Sequence, residues 1–297
     1  MKQIAIIGPT ASGKSDVALE LAHKYNAYIL SIDSLSIYKE IDIASAKPSK
    51  DELNHVKHFG INEIFANEHF DVSNFIDYYH KAKEFAINSG KNLIIVGGTS
   101  FYLKSLLSGI SKLPAIDDAT NLHVKELMKD SASVYAELLA VDKEHMKNIS
   151  SSDSYRIEKM MLIYRASGVI PSLWFQQNPA KPIITDLPIF EIDVSRDVLR
   201  ERISHRTKKM VSMGLIDEVA YLEQKYSRAS NAMSAIGIVE VLEYLDGLTT
   251  KDEMTELIST HTAQLAKRQQ TFNRSQFERK RLFTLEHIIQ QAESSME

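Results

Sequence analysis

An α/β fold with a central parallel sheet and a helical insertion is what three features of this 297-residue sequence predict. The first is a short apolar run, Gln3 to Ile7, which opens into a glycine-containing loop and then into helical spacing through Val17, Leu19, Leu21 and Ala22 over Asp16 to Tyr25. The second is a set of further apolar runs. Ala27 to Ile32 and Leu93 to Val96 each end in small or polar residues, as buried parallel strands do where an α/β site lies, and Ile189 to Val194 is a fourth candidate strand. The third is a change of character between Pro114 and Pro188. Helical patterns over Leu122 to Met128, Val134 to Leu139 and Tyr155 to Arg165 precede a loop that carries Pro171, Pro179, Pro182 and Pro188.

These elements give three segments in order: a first part of the core at 1–113, a helical insertion at 114–186, and the rest of the core at 187–297. Within the last, Ser195 to Leu222 and Met254 to Leu282 read as long amphipathic helices. No internal repeat or low-complexity tract occurs.

Composition excludes several classes. The 44% apolar and 25% charged content is that of an ordinary globular chain. No run of eighteen apolar residues and no signal-peptide pattern after Met1 is found, so a cytoplasmic protein without membrane contact is expected. The absence of cysteine excludes disulfides, thiolate metal sites and a thiol nucleophile. No His-x-x-x-His pair stands in a clear helix, so no zinc site is expected. The net charge of −4 does not mark a dedicated nucleic-acid-binding domain. Yet Gln264 to Arg281 holds Lys267, Arg268, Arg274, Arg279, Lys280 and Arg281 against Glu278 alone, a local +5 that leaves −9 for the rest.

The strongest motif is Gly8, Pro9, Thr10, Ala11, Ser12, Gly13, Lys14 and Ser15, a full match to G-x-x-x-x-G-K-[ST] between a predicted strand and helix. The spacing suits phosphate. Glycines let backbone N–H groups curl around the oxygens, and the helix N-terminus adds its positive end. Lys14 neutralises charge, and the Ser15 hydroxyl is the candidate Mg²⁺ ligand. The core is therefore expected to be P-loop NTPase-like, with a diphosphate- or nucleotide-binding loop. ATP use does not follow. The strand Leu93 to Val96 runs into Gly97-Gly98-Thr99 where a P-loop ATPase would place a Mg²⁺-holding aspartate. That turn could offer N–H groups and a hydroxyl to a pyrophosphate, or be a tight turn and nothing else. Asp33, directly after the second strand, is either a cap or a general base at the sheet edge. Lys267, Arg274 and Arg281, seven apart, would line one face of a helix, either as solvated surface or facing a phosphate backbone. Trp174 and Tyr164 read as packing residues.

Taken together, the motifs resemble the tRNA dimethylallyltransferases, also called tRNA isopentenyltransferases, over nearly the whole chain. The resemblance rests on the phosphate loop, Asp33-Ser-Leu-Ser-Ile-Tyr38, Asp42-Ile-Ala-Ser-Ala-Lys-Pro48 and Val96-Gly-Gly-Thr-Ser-Phe-Tyr102. It continues in Asp153-Ser-Tyr-Arg-Ile157, Arg202-Ile-Ser-His-Arg206, Gly214-Leu-Ile-Asp-Glu-Val219 and Gln264-Leu-Ala-Lys-Arg-Gln269. It implies transfer of a dimethylallyl group from its diphosphate to N6 of adenine 37 in tRNA, with release of pyrophosphate and with Mg²⁺ at Ser15. By the same resemblance Asp33 is the general base, and Thr99 and Arg206 hold the leaving pyrophosphate. Asp33, Ser34, Leu35, Ser36, Thr99, Asn121, Tyr155, Arg156, Ile157, Glu158 and Lys159 match tRNA-touching positions, as do Ser234 to Val239. Once tRNA is suspected, Lys267, Arg274 and Arg281 join them, and a monomer is expected.

Two departures stand out. Ala44 and Ser45 replace a Gly-Thr pair of the family, and Gly237-Ile238-Val239 replaces a Gly-Tyr-basic segment, which weakens the tRNA assignment of Ser234 to Val239. The rival readings are a kinase using the loop for ATP, and a non-catalytic RNA-binding protein with a vestigial loop.

Overall fold

The computed structural model describes residues 1–278 and 280–296. The chain forms two compact units, Met1–Lys104 with Ile184–Glu297, and Ser105–Ile183. In the first stretch of chain come β1 (Gln3–Ile7), α1 (Lys14–Lys24), β2 (Ala27–Ser31), α2 (Lys50–His55), β3 (His58–Phe59), α3 (Val72–Asn88), β4 (Asn92–Gly97) and α4 (Ser100–Ser108). The second unit carries α5 (Asp118–Leu127), α6 (Ser131–Val141), α7 (Lys143–Met146), α8 (Ser154–Ser167) and α9 (Pro171–Gln177). The chain then adds β5 (Ile189–Ile192), α10 (Arg196–Ser212), α11 (Leu215–Tyr226), α12 (Ile238–Leu245), α13 (Lys251–Gln276), β6 (Arg281–Phe283) and α14 (Leu285–Met296).

The sheet is parallel throughout, in the order β3-β2-β4-β1-β5-β6. Its centre is buried on both faces, so Ile4, Ile6, Leu93, Ile94 and Ile95 are all fully buried, which explains why these strands read as continuous apolar runs. One face is covered by Val17, Leu21 and Ala22 of α1 together with Ile288, Ala292 and Met296 of α14. Pairing of Ile7 with Gly97, and of Ser31 with Val96, brings the ends of β1, β4 and β2 to one edge. The loops that follow those strands hold the phosphate motif, Thr99 and Asp33.

The second unit has its own core, built on Val124, Val134, Leu138, Ile157, Met161 and Ile163. Trp174 and Tyr164 pack against it, and the Trp174 Nε1 donates to the Lys112 carbonyl at 2.9 Å. This unit starts and ends ahead of the expected 114–186. The reason is local: Ile183 N donates to Leu106 O at 2.9 Å, and Gly109 lies so close to Lys181 that a Cβ there would sit 2.1 Å from its carbonyl oxygen.

Two expected helices are cut short. The segment 195–222 breaks into α10 and α11 at Gly214, whose φ of 102° lies in the left-handed region that favours glycine. The expected helix over Met254 to Leu282 stops at Gln276, and the chain turns at buried Phe277 before entering β6. Arg281 therefore lies on a strand, and the stripe of Lys267, Arg274 and Arg281 on one helix face does not exist. A buried carboxylate fixes this turn. Glu191 on β5 accepts from Asn273 Nδ2 at 2.7 Å and pairs with Lys280. Arg279 lies outside the described residues. No helix among the described residues is long and apolar enough to cross a membrane.

Candidate active site

The phosphate motif bridges β1 and α1 as its spacing requires. Gly13 caps α1 at φ 90°, and Ala11 is held at φ 63°, a left-handed conformation that side chains disfavour. The Ser12 hydroxyl is fully buried without a hydrogen-bond partner among the described residues. Lys14 Nζ donates to the Pro9 carbonyl at 3.2 Å. Burial pushes the Lys14 ammonium down to about 8; the nearby Arg206 guanidinium acts the same way, while the Asp33 carboxylate partly opposes them. A cation is thus held where it lacks full solvation.

Asp33 follows β2 at the same edge. Its Oδ1 accepts from Leu35 N at 2.9 Å and Ser36 N at 3.2 Å, so the carboxylate shapes its own turn. No hydrogen bond falls on Oδ2 among the described residues, which leaves that oxygen for chemistry. Of the two readings of Asp33, the loop former is thus seen directly in the bonds of Oδ1. Thr99 closes the gap between β4 and this loop: its Oγ1 accepts from Ser34 N at 3.2 Å and donates to Ser34 Oγ at 3.3 Å. Arg206, half-buried on α10, is pushed down by burial and pulled up by Asp33.

Lys14, Asp33 and Arg206 line a cleft of about 610 Å³. One wall is cationic, with Arg202, Arg206 and Lys209 one turn apart on α10, and another is apolar, with Leu19, Ile29, Ile61 and Val96. A second hollow of about 470 Å³ between α10 and α13 holds Lys267 but none of Asp33, Thr99 or Arg206.

Sequence reasoning assigned no role to several residues that shape the site. Arg202 reaches the Ala11 and Ser12 carbonyls at 3.5 and 3.4 Å, behind the loop. Gln269 Oε1 accepts from Thr10 N at 2.8 Å. Glu218 gathers the N–H groups of Asp42, Ile43 and Ala44 at 3.0, 2.7 and 2.9 Å, and so fixes the segment leading to Ser45 and Lys47 on the cleft wall. In the sequence, Arg202, Glu218 and Gln269 stood out only as members of the motifs that carry the family resemblance.

The candidate RNA-touching residues are unequal. Ser34 is exposed, Leu35 half-buried and Ser36 5% exposed. In the second unit Asn121 is half-buried on α5, while Tyr155 and Arg156 are exposed at the start of α8. Ile157 is 0% exposed and belongs to that unit's core, so its side chain is not a contact. Glu158 and Lys159 are half-buried, with the Lys159 ammonium 5.5 Å from the Tyr155 ring centre. In the stretch 234–239, Ile238 is fully buried. Lys267 and Arg274 are both exposed on α13.

Among the described residues no group of three His, Cys, Asp or Glu could hold a metal ion. Any cation at Ser15 would thus draw most of its ligands from the bound phosphates, an arrangement that suits Mg²⁺.

The chain is 59% identical over 288 residues to a tRNA dimethylallyltransferase of Sulfurimonas denitrificans, covering 97% of each. It is 56% identical to that of Nautilia profundicola, covering 96% of each. The crystal structure of a tRNA delta(2)-isopentenylpyrophosphate transferase from Staphylococcus epidermidis superimposes with a TM-score of 0.71 at 27% identity, over 99% of this chain and 98% of that one. The family model for IPP transferase matches residues 36–276, and the chain belongs to that family.

Proposed function

We infer that this chain is a tRNA dimethylallyltransferase, moving the dimethylallyl group from dimethylallyl diphosphate to N6 of adenine 37 in tRNA. The observation that carries the reading is the meeting of Lys14, Asp33, Thr99 and Arg206 at one sheet edge, beside a cleft with a cationic wall and an apolar one. A branched five-carbon group suits the apolar wall; its diphosphate suits the cations and the loop.

The exocyclic amine is a weak nucleophile, because its lone pair is delocalised into the ring. As N6 attacks C1 of the allyl group, the C1–O bond breaks and the amine acquires positive charge. Asp33 Oδ2 accepts the N6 proton in that step. The departing diphosphate takes the bonding electrons, and Lys14, Arg206, the Thr99 hydroxyl and the loop N–H groups stabilise its charge. Lys14 contributes most at the transition state, since charge grows on the leaving group just where a poorly solvated ammonium stands. When bound, Mg²⁺ would be held by Ser15 and the diphosphate and would add further neutralisation. The adenine must leave its stack to reach the cleft, at a cost that is lowest in a single-stranded loop. Lys267 and Arg274 contribute phosphate attraction from α13, and the exposed Ser34, Tyr155 and Arg156 contribute polar and stacking contacts. The enzyme acts as a monomer in the cytoplasm.

A kinase reading lacks its strand-end aspartate at Gly97-Gly98-Thr99. The test is incubation of the purified chain with Mg²⁺, labelled dimethylallyl diphosphate and an anticodon stem-loop bearing adenine 37. Label in the RNA, with the adenosine gaining one dimethylallyl group by mass spectrometry, is the expected result. Label transfer from γ-labelled ATP instead, or no transfer at all, would overturn it.

A further inference from the structure

Gln269 lies on α13, far in sequence from the phosphate loop, yet its side chain stands between the two halves of the site. Its Oε1 accepts from Thr10 N at 2.8 Å. Its other end packs on Gly98, where an added Cβ would lie 2.4 Å from Nε2 and 3.2 Å from Cδ. The carboxamide therefore spans from the loop after β1 to the turn after β4 that carries Thr99. Gly98 is needed there for space and not for its backbone, since its φ lies outside the left-handed region, unlike that of Gly13 at +90°.

We propose that Gln269 is a positioning residue for the diphosphate site, setting the separation between the phosphate loop and Thr99, and that Gly98 is glycine to admit its carboxamide. The proposal rests on the transferase reading and names a role for a side chain that need not touch either substrate. The hydrogen bond to Thr10 N fixes the first turn of the loop, upstream of strained Ala11, while the Nε2 end of the amide braces Gly98. A methyl group at position 98 collides with the flexible tip of Gln269, which swings aside at little cost to the fold. The bond to Thr10 is lost in the same movement. Loss of the amide and addition of the methyl thus do the same damage, and doing both does it once.

This predicts a specific non-additivity. Gln269→Ala and Gly98→Ala should each weaken inorganic pyrophosphate binding, measured by calorimetry with Mg²⁺, by roughly three- to tenfold, and the double variant should be no weaker than the Gln269→Ala variant within a factor of about two. Gln269→Glu keeps the acceptor oxygen but sets a negative charge beside the loop. Its KM for dimethylallyl diphosphate should rise at least about tenfold, while its KM for the stem-loop RNA stays within about threefold. Multiplicative losses in the double variant, a Gly98→Ala chain that binds pyrophosphate like the parent, or a Gln269→Glu chain with unchanged KM would each overturn the proposal. Should Gly98→Ala not fold, the Gln269→Ala and Gln269→Glu pair decides it. A parent chain that binds pyrophosphate but transfers no prenyl group would sink the functional reading and leave the calorimetric cycle to judge Gln269.

Discussion

Replacing Lys14 by methionine should stabilise the free chain while weakening the diphosphate site. Burial lowers the ammonium from 10.5 to about 8, so at pH 7 the folded chain carries a charge it would rather lose. Each pH unit of such displacement is worth 1.36 kcal/mol, which sets a ceiling of about 3 kcal/mol. Partial solvent access and loss of the bond to the Pro9 carbonyl reduce the expected gain to about 1–2 kcal/mol. In a chain of this size that raises Tm by about 2–3 °C. The pH dependence has a definite sign. Below pH 8 both folded and unfolded Lys14 are protonated and the penalty is full; between 8 and 10.5 the unfolded chain binds more protons, so the penalty fades as pH rises. The advantage of the Lys14→Met chain over the parent should therefore shrink across that window. Binding runs the other way, because a phosphate beside Lys14 restores its proton. Parent affinity for pyrophosphate, taken relative to the Lys14→Met chain, should fall by up to about tenfold per pH unit above 8. Thermal unfolding from pH 7 to 10.5, with and without pyrophosphate, reads both effects. A Lys14→Met chain less stable than the parent at pH 7, or a relative affinity flat from pH 7 to 9.5, would refute the reasoning.

Two further outcomes follow from the site. Asp33→Asn keeps the size of the side chain and an acceptor for Leu35 N and Ser36 N, so thermal stability and RNA affinity should hold while single-turnover transfer at saturating substrates falls by roughly 10²–10⁴-fold; a rate within a few-fold of the parent would remove Asp33 as the base. With Arg281 on a strand, the RNA-facing candidates on α13 reduce to Lys267 and Arg274, and the double alanine variant should flatten the log–log salt slope of RNA binding by no more than about 1.4. An unchanged slope would make both residues ordinary solvated surface.

The central strands were legible because burial on both faces writes itself as an apolar run, and β1, β2, β4 and β5 each have one. The edges were not. β3 is two residues long, and β6 begins with exposed Arg281 and Leu282, so neither has a hydrophobic signature. Phe277 and Leu282 prolonged the helical spacing of α13 beyond its real end; what stops the helix is the bonding of Asn273 and Lys280 to Glu191, some eighty residues away in sequence. Local pattern cannot register such a contact. The same limit explains the site. The loop, Asp33 and Thr99 each follow a strand and could be placed from the sequence, whereas Gln269, Arg202 and Glu218 act through long-range hydrogen bonds that leave no periodicity.

Three departures from local rules stand together between Gly8 and Ser15. Ala11 takes a left-handed conformation that costs of order 1 kcal/mol or more, Ser12 buries a hydroxyl without a partner, and Lys14 keeps a proton against its surroundings. A loop whose only task was to join β1 to α1 would relax all three, for example with glycine at position 11, alanine at 12 and a shorter apolar residue at 14. Each departure instead disposes the loop toward a multiply charged anion: Ala11 helps aim N–H groups inward, Ser12 offers a buried donor, and Lys14 offers an under-solvated cation. The cost shared by all three is recovered only when such an anion binds, and most fully when its charge grows during departure. On the proposed reading, that coupling accounts for a transferase with no strand-end aspartate keeping the whole phosphate motif: the loop would receive a leaving group, and its strain would favour the moment when the diphosphate parts from the prenyl carbon.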